Sequence, residues 1–426
     1  VTETAAEIIA NLSNRIVHAQ KPIRILDAVK WHPDIKKQFF DSGFRTMPAI
    51  DRAYYENSPL NFDLAQKQAE FMEIARDIKR HLGTYSGVAA ILSRMCEEYQ
   101  DVLSMLGARG LPAFSQISQK LYGSSDDVFH VGAPTLNDLA ILISETIDAI
   151  KIQADNVRDE KIYDSEEAAR LLNERLSAYF HDREVGTVVE VSDGIIADAA
   201  AGAERIKIRR GAKFSERDLR VLEVHEGWVH LGTTINGLMQ PVCTFLSKGT
   251  PSATVTQEGL AIIMEIFTFS SHPLRVQRLT DRIKAIHWAE QGANFLEVFH
   301  QLREKGLTDE ESYTLSYRVF RGSTPTGAPF TKDLAYSKGF ILIYNYIRLA
   351  IQRGLLSRIP LLFLGKTTLE DLHILEDLMD EGLIQPPHYI PPQFRDMAAL
   401  SSWMCYSLFL NQLNLKQMAA DYKGIL

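Results

Sequence analysis

The chain has 426 residues, 46% hydrophobic and 23% charged, with a formal net charge of −8. That length exceeds a single core of ordinary size, so two or more substructures are expected. The negative balance argues against nucleic acid as the main partner, because neutralising phosphates takes a basic surface.

The first 180 residues read as helical. Segments 5–16, 65–82, 88–106 and 136–152 carry apolar residues at three- and four-residue spacing. Asp164-Ser165-Glu166-Glu167 opens another helix, with acidic residues at the positive end of its dipole. The pattern then changes. Residues 187–191 read as a strand, Asp193-Gly194 as a turn and 195–201 as the hairpin partner. Segment 204–210 alternates, with Ile206 and Ile208 on one face and Arg205, Lys207 and Arg209 on the other. After Gly211 the helical period resumes, over 218–236, 256–269, 274–288, 294–304, 310–320, 332–352, 369–381 and 394–413. Ser215, Thr254 and Thr308 each head a capping-box pattern.

These elements predict a mainly α (α+β) chain with one small antiparallel sheet. The expected division is an N-terminal helical region, 1–160, and a core with the C-terminal helices, 161–426. Cys96, Cys243 and Cys405 are far apart and odd in number, and they read as buried thiols of a reducing compartment. The longest apolar stretch, 339–351, contains Asn345 and Arg348 and falls short of a membrane span. The start lacks the apolar region of a signal peptide, although it begins at Val1 rather than Met. A cytoplasmic protein with no membrane partner is expected.

The helix after the sheet contains His225-Glu226-Gly227-Trp228-Val229-His230. Two imidazoles four residues apart share a helix face and can hold zinc. Here the spacing is five, which turns about 500° and leaves the rings about 140° apart on an ideal α-helix. Convergence on one metal therefore requires a local distortion; a π-bulge, which inserts one residue, would bring the rings together, and Gly227 is a candidate weak point. The other reading is two ordinary polar-face histidines. In the next helix, Gln257-Glu258-Gly259-Leu260-Ala261 leads an apolar run, so Glu258 sits at the mouth of a buried helix. A carboxylate there is costly unless paired or metal-bound, and two histidines with one glutamate form a known catalytic zinc set with an open fourth position. The alternative is a carboxylate satisfied by the helix dipole.

These residues carry a resemblance. Ser215-Glu216-Arg217-Asp218, the His225–His230 motif, Thr233-Thr234-Ile235-Asn236-Gly237 and Thr256-Gln257-Glu258-Gly259-Leu260-Ala261 resemble the QEGLA-motif family. Arg318-Val319-Phe320-Arg321-Gly322 and Phe330-Thr331-Lys332-Asp333 with Tyr336 resemble further blocks of it. Its bacterial members are labelled flavohaemoglobin expression-modulating, and it includes the microtubule-associated tyrosine carboxypeptidases, which remove the C-terminal tyrosine of α-tubulin. The resemblance is clear over about 187–350 and looser before it. It implies a zinc peptidase fold with one zinc ion held by His225, His230 and Glu258, and Glu226 as base. It does not imply tubulin as the substrate.

Further roles are open at this level. Tyr336, Tyr313 and Arg318 are candidate oxyanion donors, Tyr336 first. A carboxypeptidase needs a cation for the terminal carboxylate, and Arg318, Arg321 and Lys332 are candidates; a solvated helix end is the alternative. Arg205, Lys207 and Arg209 either favour an acidic peptide added to a sheet edge or guard that edge against aggregation. Glu265 and Asn236 are candidates to hold the histidines. The expected function is a zinc carboxypeptidase acting on a peptide or protein C-terminal tail. The alternatives are a zinc endopeptidase and a metal-binding regulatory or scaffold protein without hydrolysis.

Overall fold

The computed structural model describes residues 4–84, 86–151, 159–181, 188–193, 195, 198–201 and 205–424. The expected strand and turn positions 187, 194, 196–197 and 204 lie outside the described residues. The architecture is mainly α, with a single three-stranded sheet among the described residues. No described helix is long and apolar enough to cross a membrane.

The N-terminal half is built from Ala5–Gln20, Leu64–Leu82, Gly87–Gly107, Leu136–Lys151 and Ser165–Tyr179. The capping boxes expected at Ser215 and Thr308 form with Asp218 and Glu311. The one expected at Thr254 does not. The helix after it is Pro251–Phe267, opened by proline at its first position. Thr254 lies inside it, its hydroxyl bonded back to the Thr250 carbonyl at 3.2 Å. Glu258 is therefore deep within a helix rather than at its mouth, and the dipole, which fades within the first turn, does not account for it.

The sheet is mixed rather than antiparallel throughout. Its order is β1 (Val189–Ser192), β3 (Ile206–Arg209), β2 (Ala199–Ala201), with β1–β3 parallel and β2–β3 antiparallel. The expected hairpin between the first two strands is replaced by insertion of β3. The reason is burial: Ile206 and Ile208 are fully enclosed, and a strand with that face gains most from the central position. Both edges of β3 are thus occupied, so it offers no edge for peptide addition. Its basic face is a cross-strand charge ladder, Arg205 with Glu190 at 3.0 Å and Arg209 with Asp198 at 2.6 Å.

Two apolar clusters meet around the histidine helix, and a third lies apart from it. Val224 and Val229 join the largest, which unites Ile16, Phe71 and Leu92 with Leu260, Ile263 and Ile343. Leu231 and Ile235 join a second, with Leu176, Ile206 and Leu219. A third, rich in aromatics, packs Trp31, Phe39 and Phe299 against Ile283 and Tyr317. Cys96 and Cys243 are buried, whereas Cys405 is exposed on Met397–Leu410, contrary to the expectation for all three.

Candidate metal centre

The helix that carries the histidines is α-helical over Glu216–Leu222, π-helical over Glu223–Leu231 and α-helical again over Gly232–Leu238. At its end the Gly232 N–H donates to the Gly227 carbonyl, five residues back. In that hydrogen-bond pattern residues five apart stand one above the other. The rings of His225 and His230 accordingly lie 4.8 Å apart between centroids. The segment is closely packed: a Cβ on Gly227 would lie 2.3 Å from Leu176 Cδ2, so a larger residue there requires the Leu176 side chain to shift.

Glu258 comes from Pro251–Phe267, which crosses Ala335–Gln352 at a glycine pair. A Cβ on Gly259 would lie 2.0 Å from the carbonyl carbon of Gly339, and one on Gly339 2.0 Å from the Val255 oxygen. This contact fixes the helix of Glu258 against the helix of Tyr336, and the Glu258 carboxylate acts on the phenol. The ligand atoms of His225, His230 and Glu258 all lie within 4.8 Å of one another.

Glu258 Oε2 is 3.3 Å from His225 Nε2 and 3.3 Å from His230 Nε2, buried and without a hydrogen-bond partner. His225 Nδ1 lies 2.6 Å from Glu265 Oε1. An ionised carboxylate only accepts, so Nδ1 carries the hydrogen and Nε2 presents a lone pair. Glu265 is kept ionised: burial raises its pKa, but Arg275 and His225 outweigh that and lower it to about 2. Arg275 grips it from two sides, at 3.1 and 2.9 Å. Electron pairs from His225 Nε2 and Glu258 Oε2 thus face each other, with His230 Nε2 beside them, an arrangement that fits a cation between them. Without one, a proton takes its place: burial lowers the His225 pKa, and the carboxylates of Glu258 and Glu265 more than reverse this, to about 9. Burial likewise opposes ionisation of Glu258, yet both imidazoles and Lys332, whose Nζ is 4.0 Å from Oε1, hold it well below the usual carboxylate range.

His225 and Glu226 line a cleft of about 1040 Å³, together with Tyr336, Arg275, Arg282 and Arg318. The Tyr336 ring lies 6.3 Å from that of His225. Burial and Glu258 raise its pKa against the pull of Arg282 and Arg318, so the phenol keeps its hydrogen and can donate. Arg318 grips Asp333 through Nε at 2.5 Å and a terminal nitrogen at 2.8 Å. Of the other expected substrate residues, Arg209 lines the cleft, while Arg205, Lys207, Arg321 and Lys332 do not. Arg321 is buried over the rings of Tyr317 and Phe330. Asn236 does not support the histidines. Its amide binds the carbonyls of Phe363 and Tyr389 and the backbone nitrogens of His388 and Tyr389.

Two contributors escaped the sequence reading. Lys366 donates to the His230 carbonyl at 2.9 Å and to Gln257 Oε1 at 3.0 Å, tying one ligand's backbone to the neighbour of another. Burial lowers its pKa to about 7 although Glu258 and Glu226 favour the charge. No local pattern marks it. Arg275, Arg278 and Arg282 are different: they recur at three and four residues on Pro273–Glu290, a basic stripe legible in the sequence.

A family model described as microtubule-associated tyrosine carboxypeptidase matches residues 37–412. Comparison with curated proteins gives no match.

Proposed function

Since the chain belongs to the microtubule-associated tyrosine carboxypeptidase family, we propose that it is a zinc carboxypeptidase that releases a C-terminal residue, tyrosine first among candidates, from a peptide or protein tail. The observation that carries this is the stranded Glu258 Oε2 between two imidazole nitrogens, beside a cleft lined by Glu226 and Tyr336. His225, His230 and Glu258 hold the metal, and zinc suits this donor set of two nitrogens and one carboxylate oxygen. When bound, it supplies a Lewis acid and lowers the pKa of water toward about 7.

The protein side chains do the rest. Glu226 takes the proton of the attacking water and delivers it to the leaving amine. The Tyr336 hydroxyl donates to the oxygen that becomes negative as the carbonyl carbon turns tetrahedral. Glu265, itself fixed by Arg275, orients His225 and raises its basicity as a ligand. Arg318 holds Asp333 and shapes the wall behind Tyr336.

Metal content by mass spectrometry and tyrosine release from a synthetic peptide test this reading. Near-stoichiometric zinc is expected in the wild type, lost in His225→Ala and in Glu258→Ala. Release is expected to fall on the order of 10²-fold or more in Glu226→Gln with zinc retained. Protein never exposed to chelator that holds no zinc, or a Glu226→Gln variant with unchanged release, refutes it.

A further inference from the structure

Of the arginines that line the cleft, Arg275 and Arg282 come from Pro273–Glu290 and Arg318 from Asp309–Phe320, and their partners separate these three. Arg275 is saturated by Glu265. Arg318 is saturated by Asp333. Arg282 has no carboxylate within ion-pair distance among the described residues, and its Nη1 is buried without a hydrogen-bond partner. Its guanidinium lies 4.4 Å over the centroid of the Tyr336 ring, and that ring in turn stands 6.3 Å from His225. Burial and the neighbouring Arg318 press against its charge more than Tyr336 and the Asp333 carboxylate, beyond ion-pair distance, favour it. A buried guanidinium short of an anion is costly, and the two cations beside it are already neutralised.

We propose that Arg282 is the anchor for the terminal carboxylate of the substrate and thereby makes the cleft an exopeptidase site. This rests on the carboxypeptidase reading above and adds the residue that recognises the chain end. In an exopeptidase the scissile carbonyl and the terminal carboxylate are one residue apart, about 3.5 Å of extended chain, so the anchor must stand near the metal ligands. The Tyr336 ring neighbours both groups, 6.3 Å from the His225 ring and 4.4 Å from the Arg282 guanidinium. The guanidinium fork matches a carboxylate bidentately, which an ammonium does not. Of the other arginines with an unpartnered buried nitrogen among the described residues, Arg321 sits over Tyr317 and Phe330, and neither it nor Arg217 nor Arg348 lines the cleft; Arg209 does line it but is paired with Asp198.

The test uses one synthetic octapeptide ending in tyrosine, as free acid and as C-terminal amide. Binding is measured by fluorescence anisotropy on the full chain in a Glu226→Gln background, with and without Arg282→Gln or Arg282→Lys. The free acid is expected to bind on the order of 100-fold tighter than the amide. Arg282→Gln should abolish that preference, and Arg282→Lys should keep part of it. Melting temperature and zinc content report whether either variant is merely misfolded; if Arg282→Gln fails to fold, a partial loss of preference in Arg282→Lys still decides. No preference in the parent, or a preference untouched by either substitution, overturns the assignment. An Arg282-dependent preference without release in Glu226-intact protein leaves the anchor standing and refutes the peptidase. Release with an acid preference that ignores Arg282 does the reverse.

Discussion

Gly259→Ala adds one methyl where two helix backbones cross in close contact. The new Cβ would lie 2.0 Å from the Gly339 carbonyl carbon and 2.4 Å from its oxygen. Carbon atoms pack at about 3.5–4.0 Å, so Pro251–Phe267 and Ala335–Gln352 must part by roughly 1.5–2 Å. Overpacking of this kind costs about 1–3 kcal/mol. The functional effect should be larger than the stability effect. Glu258 is the residue before Gly259, and Tyr336 lies three residues before Gly339, so parting the helices separates a metal ligand from the phenol. A misplacement of about 1 Å at a reacting centre costs around 100-fold in rate. Thermal unfolding, zinc competition with a chelator and tyrosine release measure the three consequences. Gly339→Ala strains the same contact, so the double variant should lose less than the sum of the two. A Gly259→Ala protein with unchanged melting, zinc affinity and turnover would show slack at this crossing and refute the reasoning.

Glu265→Gln removes the carboxylate that orients His225 and neutralises Arg275; a zinc affinity lower by about 10–100-fold is expected, with about 3–5 kcal/mol of stability lost from the broken buried pair. A chelator titration and a urea melt check both. Asp333 gives a pH effect. Burial raises its pKa, but Arg318 and Arg282 outweigh that and hold it below the usual range. Its stabilisation is therefore complete above the unfolded value of about 3.9 and is lost as pH falls through the lower folded value. Asp333→Asn should flatten the acid limb of the stability curve, measured from pH 5 downward at a resolution of ~0.5 unit. Burial pushes the Cys96 and Cys243 thiols up to about 12, so thiol titration of the native protein should find Cys405 reacting fast and the other two only after denaturation.

The π segment was legible because a five-residue spacing needs a distortion of the helix to join two imidazoles, and an inserted residue supplies it. Glu258 was legible as a buried carboxylate, but its helix was started too late: Pro251 at the first helical position was outweighed by the capping pattern at Thr254. Glu265 followed from helical spacing, whereas Asn236 is committed to a loop 152 residues away in sequence, which no local signal encodes. The sheet order failed for a related reason. Chain adjacency favoured a hairpin, and the greater burial of β3 decided otherwise. Arg318, Arg321 and Lys332 were chosen for charge near a family block. The structure pairs Arg318 with Asp333, sets Arg321 over aromatic rings and places Lys332 beside Glu258, contacts that no local signal encodes.

The π segment also fixes what an evolving sequence can do here. Side chains within and just after it dock in two different cores, Val224 and Val229 in one, Leu231 and Ile235 in another. Deleting Gly227 would restore four-residue spacing and would suit two imidazoles on an ordinary helix. It would also turn everything downstream by about 100°, taking Leu231 and Ile235 off their core. Single-residue indels at this position are therefore doubly penalised, and conversion to the shorter motif requires concerted repacking of the 232–238 turn and its neighbours. The extra residue behaves as a register lock, a neutral-looking insertion that selection on packing alone would retain.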